Sequence, residues 1–318
     1  MKELLSFVIP CYNSQASIAG VVRDINEAVA KMPAYDYEVI LVNDCSPDGT
    51  MDVIREICQS NGRVKGINLS RNFGQHSAIM AGLKRVKGSI IVCLDDDGQT
   101  PPQQAHLLIE QVAAGHDVAM ARYPLKKHSF FRNLGSSLNE RMAKSLIGKP
   151  KELFLSSYVA MKRYVADEIC SYTFPYPYIS GLLLRATKDI VNVDIAHRER
   201  ETGKSGYTLS KLFALWFNGF TNFSIKPLRI AIVIGIIIAV CGFAAGLYSV
   251  IKKLVDPAVP MGWASTLAVS AFVGGIVLVV LGLIGEYVGR IFMGLNQQPQ
   301  YVIREIVGED EDNGEVQN

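Results

Sequence analysis

The sequence predicts an α/β fold: an open, mostly parallel sheet crossed by helices, followed by an amphipathic helix at a membrane interface and two transmembrane helices. Three observations carry this reading. Short apolar, β-branched runs recur up to residue 195, and each ends in polar turn formers. Helical patterns stand between the early runs, which implies right-handed crossovers in one sheet. Two uncharged apolar runs, Ile230 to Ile251 and Trp263 to Ile284, each reach about the 20 residues that a membrane-spanning helix needs.

The chain has 318 residues, 49% of them hydrophobic, and a formal net charge of +2. That length suits one large domain plus a smaller one, and the apolar excess lies near the C-terminus. Near-neutral charge with no basic arm argues against a nucleic-acid partner. The cysteines Cys11, Cys45, Cys58, Cys93, Cys170 and Cys241 lack paired metal spacing and read as reduced packing residues. The apolar start, Leu4 to Pro10, is too short for a signal sequence and has no cleavage site. Lys226 and Arg229 before the first span and Arg290 after the second place both ends in the cytoplasm, although Lys252 and Lys253 between the spans reduce the contrast. Gly274, Gly275 and Gly282 permit close helix packing and so a homo-oligomer.

Taken in order, Ser6 to Ile9 is a first buried strand, closed by Pro10-Cys11-Tyr12-Asn13-Ser14. A helix over 16–31 follows, with Ile18, Val21, Val22, Ile25 and Val29 on one face. Glu38 to Val42 is a second strand, ending in Asn43-Asp44-Cys45-Ser46-Pro47-Asp48. Val64 to Leu69 is a third, and Ser70-Arg71-Asn72-Phe73-Gly74-Gln75-His76 leads into a helix reaching Val86. Ser89 to Leu94 is the fourth. Parallel pairing brings the ends of all four to one edge, gathering Asn13, Asp44, Arg71 and Asp95 to Asp97.

The fourth strand stops abruptly at Asp95-Asp96-Asp97-Gly98-Gln99-Thr100-Pro101-Pro102. Carboxylates at the C-terminal end of a buried strand sit where open α/β sheets bind ligands. Such hard oxygens suit Mg²⁺ or Mn²⁺, which needs few carboxylates when a bound phosphate supplies the rest. A solvated turn capping the next helix is the competing account. The neutral oxygen of Gln99 and the stiff Pro101-Pro102 exit favour the cation. Asp44 is suited to accept from a base N–H or ribose hydroxyls, or else to cap a helix, and Arg71 is suited to a phosphate. The first strand has no glycine-rich dinucleotide fingerprint after it, which counts against hydride transfer.

Further along, Asp117 to Ala121 is another strand, followed by a basic loop from Arg122 to His128 and a helix carrying Arg132 and Arg141. These basic residues form either a solvated face or a contact for anionic headgroups. Val191 to Ile195 is a late strand leading into His197 to Tyr207. There Arg200, Ser205 and nearby backbone N–H groups could hold phosphate oxygens; an ordinary charged surface loop is the alternative. Leu209 to Phe223 places Leu209, Leu212, Phe213, Trp216, Phe217, Phe220 and Phe223 at helical spacing, which suits a helix lying in the headgroup layer. Glu309 to Glu315 reads as an acidic disordered tail.

Together, Val8-Ile9-Pro10-Cys11-Tyr12-Asn13, Val42-Asn43-Asp44-Cys45-Ser46, Arg71-Asn72-Phe73-Gly74-Gln75, Leu94-Asp95-Asp96-Asp97-Gly98-Gln99 and Gly285-Glu286-Tyr287-Val288-Gly289-Arg290 carry a resemblance. The chain resembles the polyprenyl-phosphate glycosyltransferases of family 2, among them bactoprenol glucosyltransferases, the undecaprenyl-phosphate aminoarabinose transferase and dolichyl-phosphate mannose synthases. The resemblance covers nearly the whole chain. It implies a Rossmann-like A-type glycosyltransferase domain over 1–208, an interface helix over 209–225, two membrane helices over 226–291 and a cytosolic C-terminal segment over 292–318.

The resemblance implies transfer of one sugar, with inversion, from a UDP-linked donor to undecaprenyl or another polyprenyl phosphate for cell-envelope glycan modification. It implies nucleotide contacts from Pro10, Tyr12, Asn13, Asp44, Arg71 and Asp95, and Mg²⁺ or Mn²⁺ on Asp95, Asp97 and Gln99. Asp97 and Arg200 would be catalytic, and Arg200, Lys204, Ser205 and Tyr207 would bind the lipid phosphate. Several positions depart from the family pattern. Asp96 stands where relatives carry a small residue and receives no ligand role; Ser14 replaces a usual Glu. Gly206 replaces Lys in the Arg-x-x-Gly-x-Ser-Lys-Tyr loop, with Lys204 as a substitute ammonium. The acceptor-side segment Phe154 to Arg163 lacks the usual Asp. An inactive scaffold or transport component and a processive polysaccharide synthase are the alternatives.

Overall fold

A computed structural model of the chain describes residues 2–98, 100–123, 150, 153–196, 226–255, 262–295 and 298–308. Two compact units emerge: Met1–Thr208 together with Gln297–Asn318, and Leu209–Asn296.

The first unit is built on an eight-stranded sheet of order β7-β5-β6-β4-β1-β2-β3-β8. At its centre lies β1 (Glu3–Cys11), parallel to β2 (Tyr35–Asn43) on one side and to β4 (Ile90–Cys93) on the other. The run Phe7-Val8-Ile9 pairs with Val39-Ile40-Leu41, and all six side chains are fully buried. Apolar side chains on both faces make such strands interior, as their unbroken hydrophobic runs require. Outside β2 lies β3 (Val64–Leu69), also parallel. The four strand ends foreseen at one edge therefore do share it.

Helices cover both faces. α1 (Ile18–Ala30) buries Ile18, Val21, Val22, Ile25 and Val29, the stripe expected from their spacing. α2 (Thr50–Ser60) buries Met51, Ile54 and Cys58. α3 (Gln75–Leu83) is buried from Ser77 to Leu83 and sits directly on the sheet. Its approach depends on Gly82, where a Cβ would come within 2.5 Å of the Val8 side chain. α4 (Ala105–Ala113) follows a short 3₁₀ turn at Pro102–Gln104.

Beyond β4 the sheet becomes mixed. β5 (Val118–Arg122) runs parallel to β7 (Ile190–Asp194), while β6 (Val159–Lys162) lies antiparallel between β4 and β5. Because β6 runs the other way, it enters the sheet at the edge where β4 leaves it. α5 (Arg163–Cys170) and α6 (Ile179–Ala186) follow. A final strand, β8 (Ile303–Val307), pairs antiparallel with β3 and has no counterpart in the sequence reading. It is fastened by a two-pronged Arg55–Glu305 ion pair and by the Gln300 amide, which donates to the carbonyls of Tyr172 and Phe174.

The second unit contains α7 (Lys226–Val255) and α8 (Trp263–Leu295), which contact each other. They enclose the two apolar runs of the sequence. Phe272–Gly289 in α8 is apolar and long enough to cross a membrane by length and composition, and Ile232–Ala244 in α7 is a shorter apolar stretch. Within this chain Phe243 is 75% and Leu278 70% exposed, so both helices carry large apolar side chains on their surface. The interface helix over 209–225, the basic loop and helix after Tyr123 and the acidic tail lie outside the described residues.

Candidate active site

The loops that leave β1, β2, β3 and β4 surround a cavity of about 370 Å³ at the C-terminal edge of the sheet. Pro10, Tyr12, Asp44, Asp95 and Asp97, five of the residues predicted from sequence, line it. Asn13 and Arg71 occupy the same edge without lining the cavity. Asn13 adopts φ 57°, a left-handed conformation that asparagine tolerates, and its N–H donates to Ser46 Oγ. The Arg71 guanidinium lies 4.6 Å from the centre of the Phe73 ring. Gln99, Arg200, Lys204, Ser205 and Tyr207 lie outside the described residues.

Asp44 is buried, and its carboxylate organises the loop after β3. One oxygen accepts the Phe73 N–H at 2.7 Å and the other accepts the Gly74 N–H at 2.8 Å. Gly74 has φ 91°, so this turn favours glycine. Burial raises the Asp44 pKa despite these two bonds. The sequence considered Asp44 as a nucleoside contact or a helix cap; in the structure it lines the cavity and also holds the Phe73–Gly74 turn beside it.

The acidic loop after β4 turns away from the sheet at Gly98, φ 72°. Asp95 accepts from Gln75 Nε2 at 2.8 Å and from Ser157 Oγ at 2.6 Å. Burial pushes its pKa up to about 6; the Ser157 and Gln75 bonds oppose this, and the adjacent charges of Asp97 and Asp96 add to it. Asp96 also lines the cavity and accepts from the Tyr12 N–H at 2.9 Å and from the Ser14 hydroxyl.

The side chains missed by the sequence argument are Asn72, Gln75 and Ser157, all at the cavity wall; Asp96, which the sequence placed at this edge without a ligand role, lines it too. Gln75, at the start of α3, and Ser157, in the segment before β6, are neutral and distant in sequence, so only their meeting at Asp95 marks them. The segment from Phe154, expected on the acceptor side, is anchored to β7 by Asn192, which accepts the Phe154 N–H and donates to the Phe154 carbonyl. No carboxylate stands in it, but Ser157 brings it to the acidic loop.

This donor set fits a hard divalent cation. Among the described residues no group of three or more His, Cys, Asp or Glu side chains is placed to hold a metal ion without further ligands. Asp95, Asp96 and Asp97 nonetheless line one cavity, and Mg²⁺ needs only one or two carboxylates when phosphate oxygens and water complete its shell.

Comparison with known proteins agrees with this architecture. The family described as Glycosyl transferase family 2 matches residues 6–170, and the one described as GtrB C-terminal hairpin matches residues 226–291. The undecaprenyl-phosphate 4-deoxy-4-formamido-L-arabinose transferase of Photorhabdus laumondii is 32% identical over 315 residues, covering 97% of this chain and 96% of that protein. The uncharacterized glycosyltransferase YkcC of Bacillus subtilis is 32% identical, covering 95% and 94%. The crystal structure of glucosyl-3-phosphoglycerate synthase from Mycobacterium tuberculosis with Mn²⁺, UDP and phosphoglyceric acid shares the fold, with a TM-score of 0.50 and 18% identity, over 68% of this chain and 75% of that one.

Proposed function

From the premise that the chain belongs to glycosyltransferase family 2, we propose that it transfers one sugar, with inversion, from a UDP-sugar to a polyprenyl phosphate such as undecaprenyl phosphate. The observation that carries this reading is the carboxylate-lined cavity at the strand ends, in a chain whose C-terminal part is an outward-apolar helical pair. Relatives of nearly equal length named as undecaprenyl-phosphate sugar transferases support the acceptor class.

In this reading Tyr12 and Pro10 form the nucleoside wall, and Asp44 keeps the Phe73–Gly74 turn in place against it. Asp95 and Asp97, with Gln99, would hold Mg²⁺ or Mn²⁺. When bound, the cation supplies positive charge for the departing diphosphate. Asp95 is kept oriented for that role by Gln75 and Ser157. Arg200, Lys204, Ser205 and Tyr207 are assigned to the lipid phosphate, with Arg200 setting it in line with the anomeric carbon.

The acceptor phosphate is largely dianionic at neutral pH, since its second ionisation falls near pH ~6. Its oxygen forms the new bond to the anomeric carbon as the bond to the diphosphate breaks, releasing UDP. No strong base is required, in keeping with an acceptor segment whose polar contact to the acidic loop is a serine. The two apolar helices would span the cytoplasmic membrane, with the catalytic unit and both ends in the cytoplasm. Gly274, Gly275 and Gly282 would allow helices of neighbouring copies to pack closely in a homo-oligomer.

The test is incubation of the purified full chain with undecaprenyl phosphate and a panel of labelled nucleotide sugars, with mass analysis of the lipid. A lipid-phosphate sugar with equimolar UDP is expected for one donor. Absence of lipid product and of UDP release across the panel overturns the reading.

A further inference from the structure

Ser14 and Asp96 meet in the structure although 82 residues separate them. The Ser14 hydroxyl donates to Asp96 Oδ2, and the same oxygen accepts the Tyr12 N–H at 2.9 Å. Tyr12, half exposed, lines the donor cavity and Ser14 is buried beneath it. This loop is also tied to the loop after β2 and the start of α2: the Ser14 N–H donates to Thr50 Oγ1 at 2.9 Å, and the Gln15 N–H donates to Asp48 at 3.3 Å. The loop after β1 is therefore held between two neighbours, and Asp96 is its anchor on the acidic side.

We propose that Asp96 is a positioning residue that fixes the Tyr12 wall of the donor cavity onto the acidic loop, and that Ser14 and Asp96 act as one unit. A carboxylate supplied from position 14 in place of position 96 would stand between the same two loops. In this chain it is contributed by the loop after β4 instead of the loop after β1. The inference rests on the reading of the cavity as a UDP-sugar site. It separates Asp96 from its neighbours: Asp95 and Asp97 would hold the cation, while Asp96 would set where the nucleoside lies.

The experiment measures binding of UDP with Mn²⁺ to the full chain in detergent micelles by calorimetry, together with the Mn²⁺ midpoint at saturating UDP and each variant's thermal midpoint. Asp96→Ala is expected to weaken UDP binding about tenfold, the loss of two hydrogen bonds to a carboxylate, with the Mn²⁺ midpoint unmoved. Asp96→Asn, which can still accept, should lose less. Ser14→Ala should weaken binding about threefold in the parent and add nothing in the Asp96→Ala background, the signature of a coupled pair. Ser14→Glu should be damaging alone, where two carboxylates compete for one space, and restorative when combined with Asp96→Ala.

Unchanged UDP affinity in a folded Asp96→Ala chain overturns the inference. So does a Mn²⁺ midpoint that moves with it, which would make Asp96 a metal ligand, or a Ser14→Glu, Asp96→Ala chain no better than Asp96→Ala. If Asp96→Ala does not fold, the Ser14→Ala and Asp96→Asn affinities decide in the same sense. A parent chain that binds no UDP with Mn²⁺ removes the donor reading itself, a result distinct from all of these.

Discussion

Ser157 Oγ donates to Asp95 Oδ2 at 2.6 Å, so the segment entering β6 is fastened to the loop leaving β4. The bond exists because these two strands run in opposite directions and share one edge. Ser157→Ala should leave Asp95 with the Gln75 amide at the start of α3 as its side-chain donor among the described residues and lower sugar transfer by about tenfold, a hydrogen bond to a charged group in a partly buried site. Ser157→Thr should retain most activity. Steady-state rates at saturating donor, with a Mn²⁺ titration, check this.

Asp97 lines the cavity beside Asp95. Asp97→Asn should fold normally and lose about a hundredfold or more in transfer rate, and EDTA should bring the parent chain to a similar floor. Full activity of this variant in EDTA would falsify the cation's role.

Asp44→Asn exchanges one acceptor for a donor opposite the N–H groups of Phe73 and Gly74. One of those groups then lacks a partner in a buried setting, at a cost of roughly 1–3 kcal/mol. The expected result is a lower thermal midpoint and a raised KM for the nucleotide sugar, with a smaller change in kcat.

His76 gives the fold an acid limit. Its Nδ1 is shielded from solvent and has no hydrogen-bond partner among the described residues, and its ring meets Tyr178 edge-on at 5.2 Å. Burial lowers its pKa from 6.5 to about 4. The unfolded chain then binds a proton that the folded chain refuses, so stability is full above pH 6.5 and falls as pH drops towards 4. The slope is at most about 1.4 kcal/mol per pH unit and the total roughly 3 kcal/mol. Unfolding midpoints between pH 7.5 and 4.5 should fall less steeply in His76→Phe than in the parent.

β8 ties residues beyond the helical pair to the loop that forms the cavity wall. Ser70 N–H donates to the Val302 carbonyl at 2.8 Å, and Arg304 donates to the Ser70 carbonyl at 3.0 Å. The partly exposed Arg55–Glu305 pair adds at most about 1 kcal/mol. The larger loss on removing the strand is the bare edge of β3. A chain ending at residue 296 should aggregate or bind UDP weakly, whereas one ending at 308 should behave as the full chain. Size-exclusion profiles and UDP affinity distinguish the outcomes.

Much of the donor cavity is legible in the sequence because β1 to β4 are continuous apolar runs with polar ends. Four parallel strands in right-handed order can only gather those ends at one edge. Legibility stops where pairing partners are distant or patterns are short. Val159-Ala160-Met161-Lys162 is not a β-branched run, and its antiparallel place between β4 and β5 follows from packing. Ile303-Arg304-Glu305-Ile306-Val307 alternates as an edge strand does, but nothing local specifies that β3 receives it.

Hydrophobic periodicity and motif spacing by themselves determined the α/β class, the family resemblance, the apolar helical pair and the carboxylates at the strand ends. These are local properties, written in consecutive residues. Tertiary structure alone decided that Asp44 holds the Phe73–Gly74 turn, that Ser157 and Gln75 share Asp95, and that Asp96 holds Ser14. Each of these depends on which side chains converge from strands far apart in the chain, and a hydrogen bond responds to distance in space, not to separation in sequence.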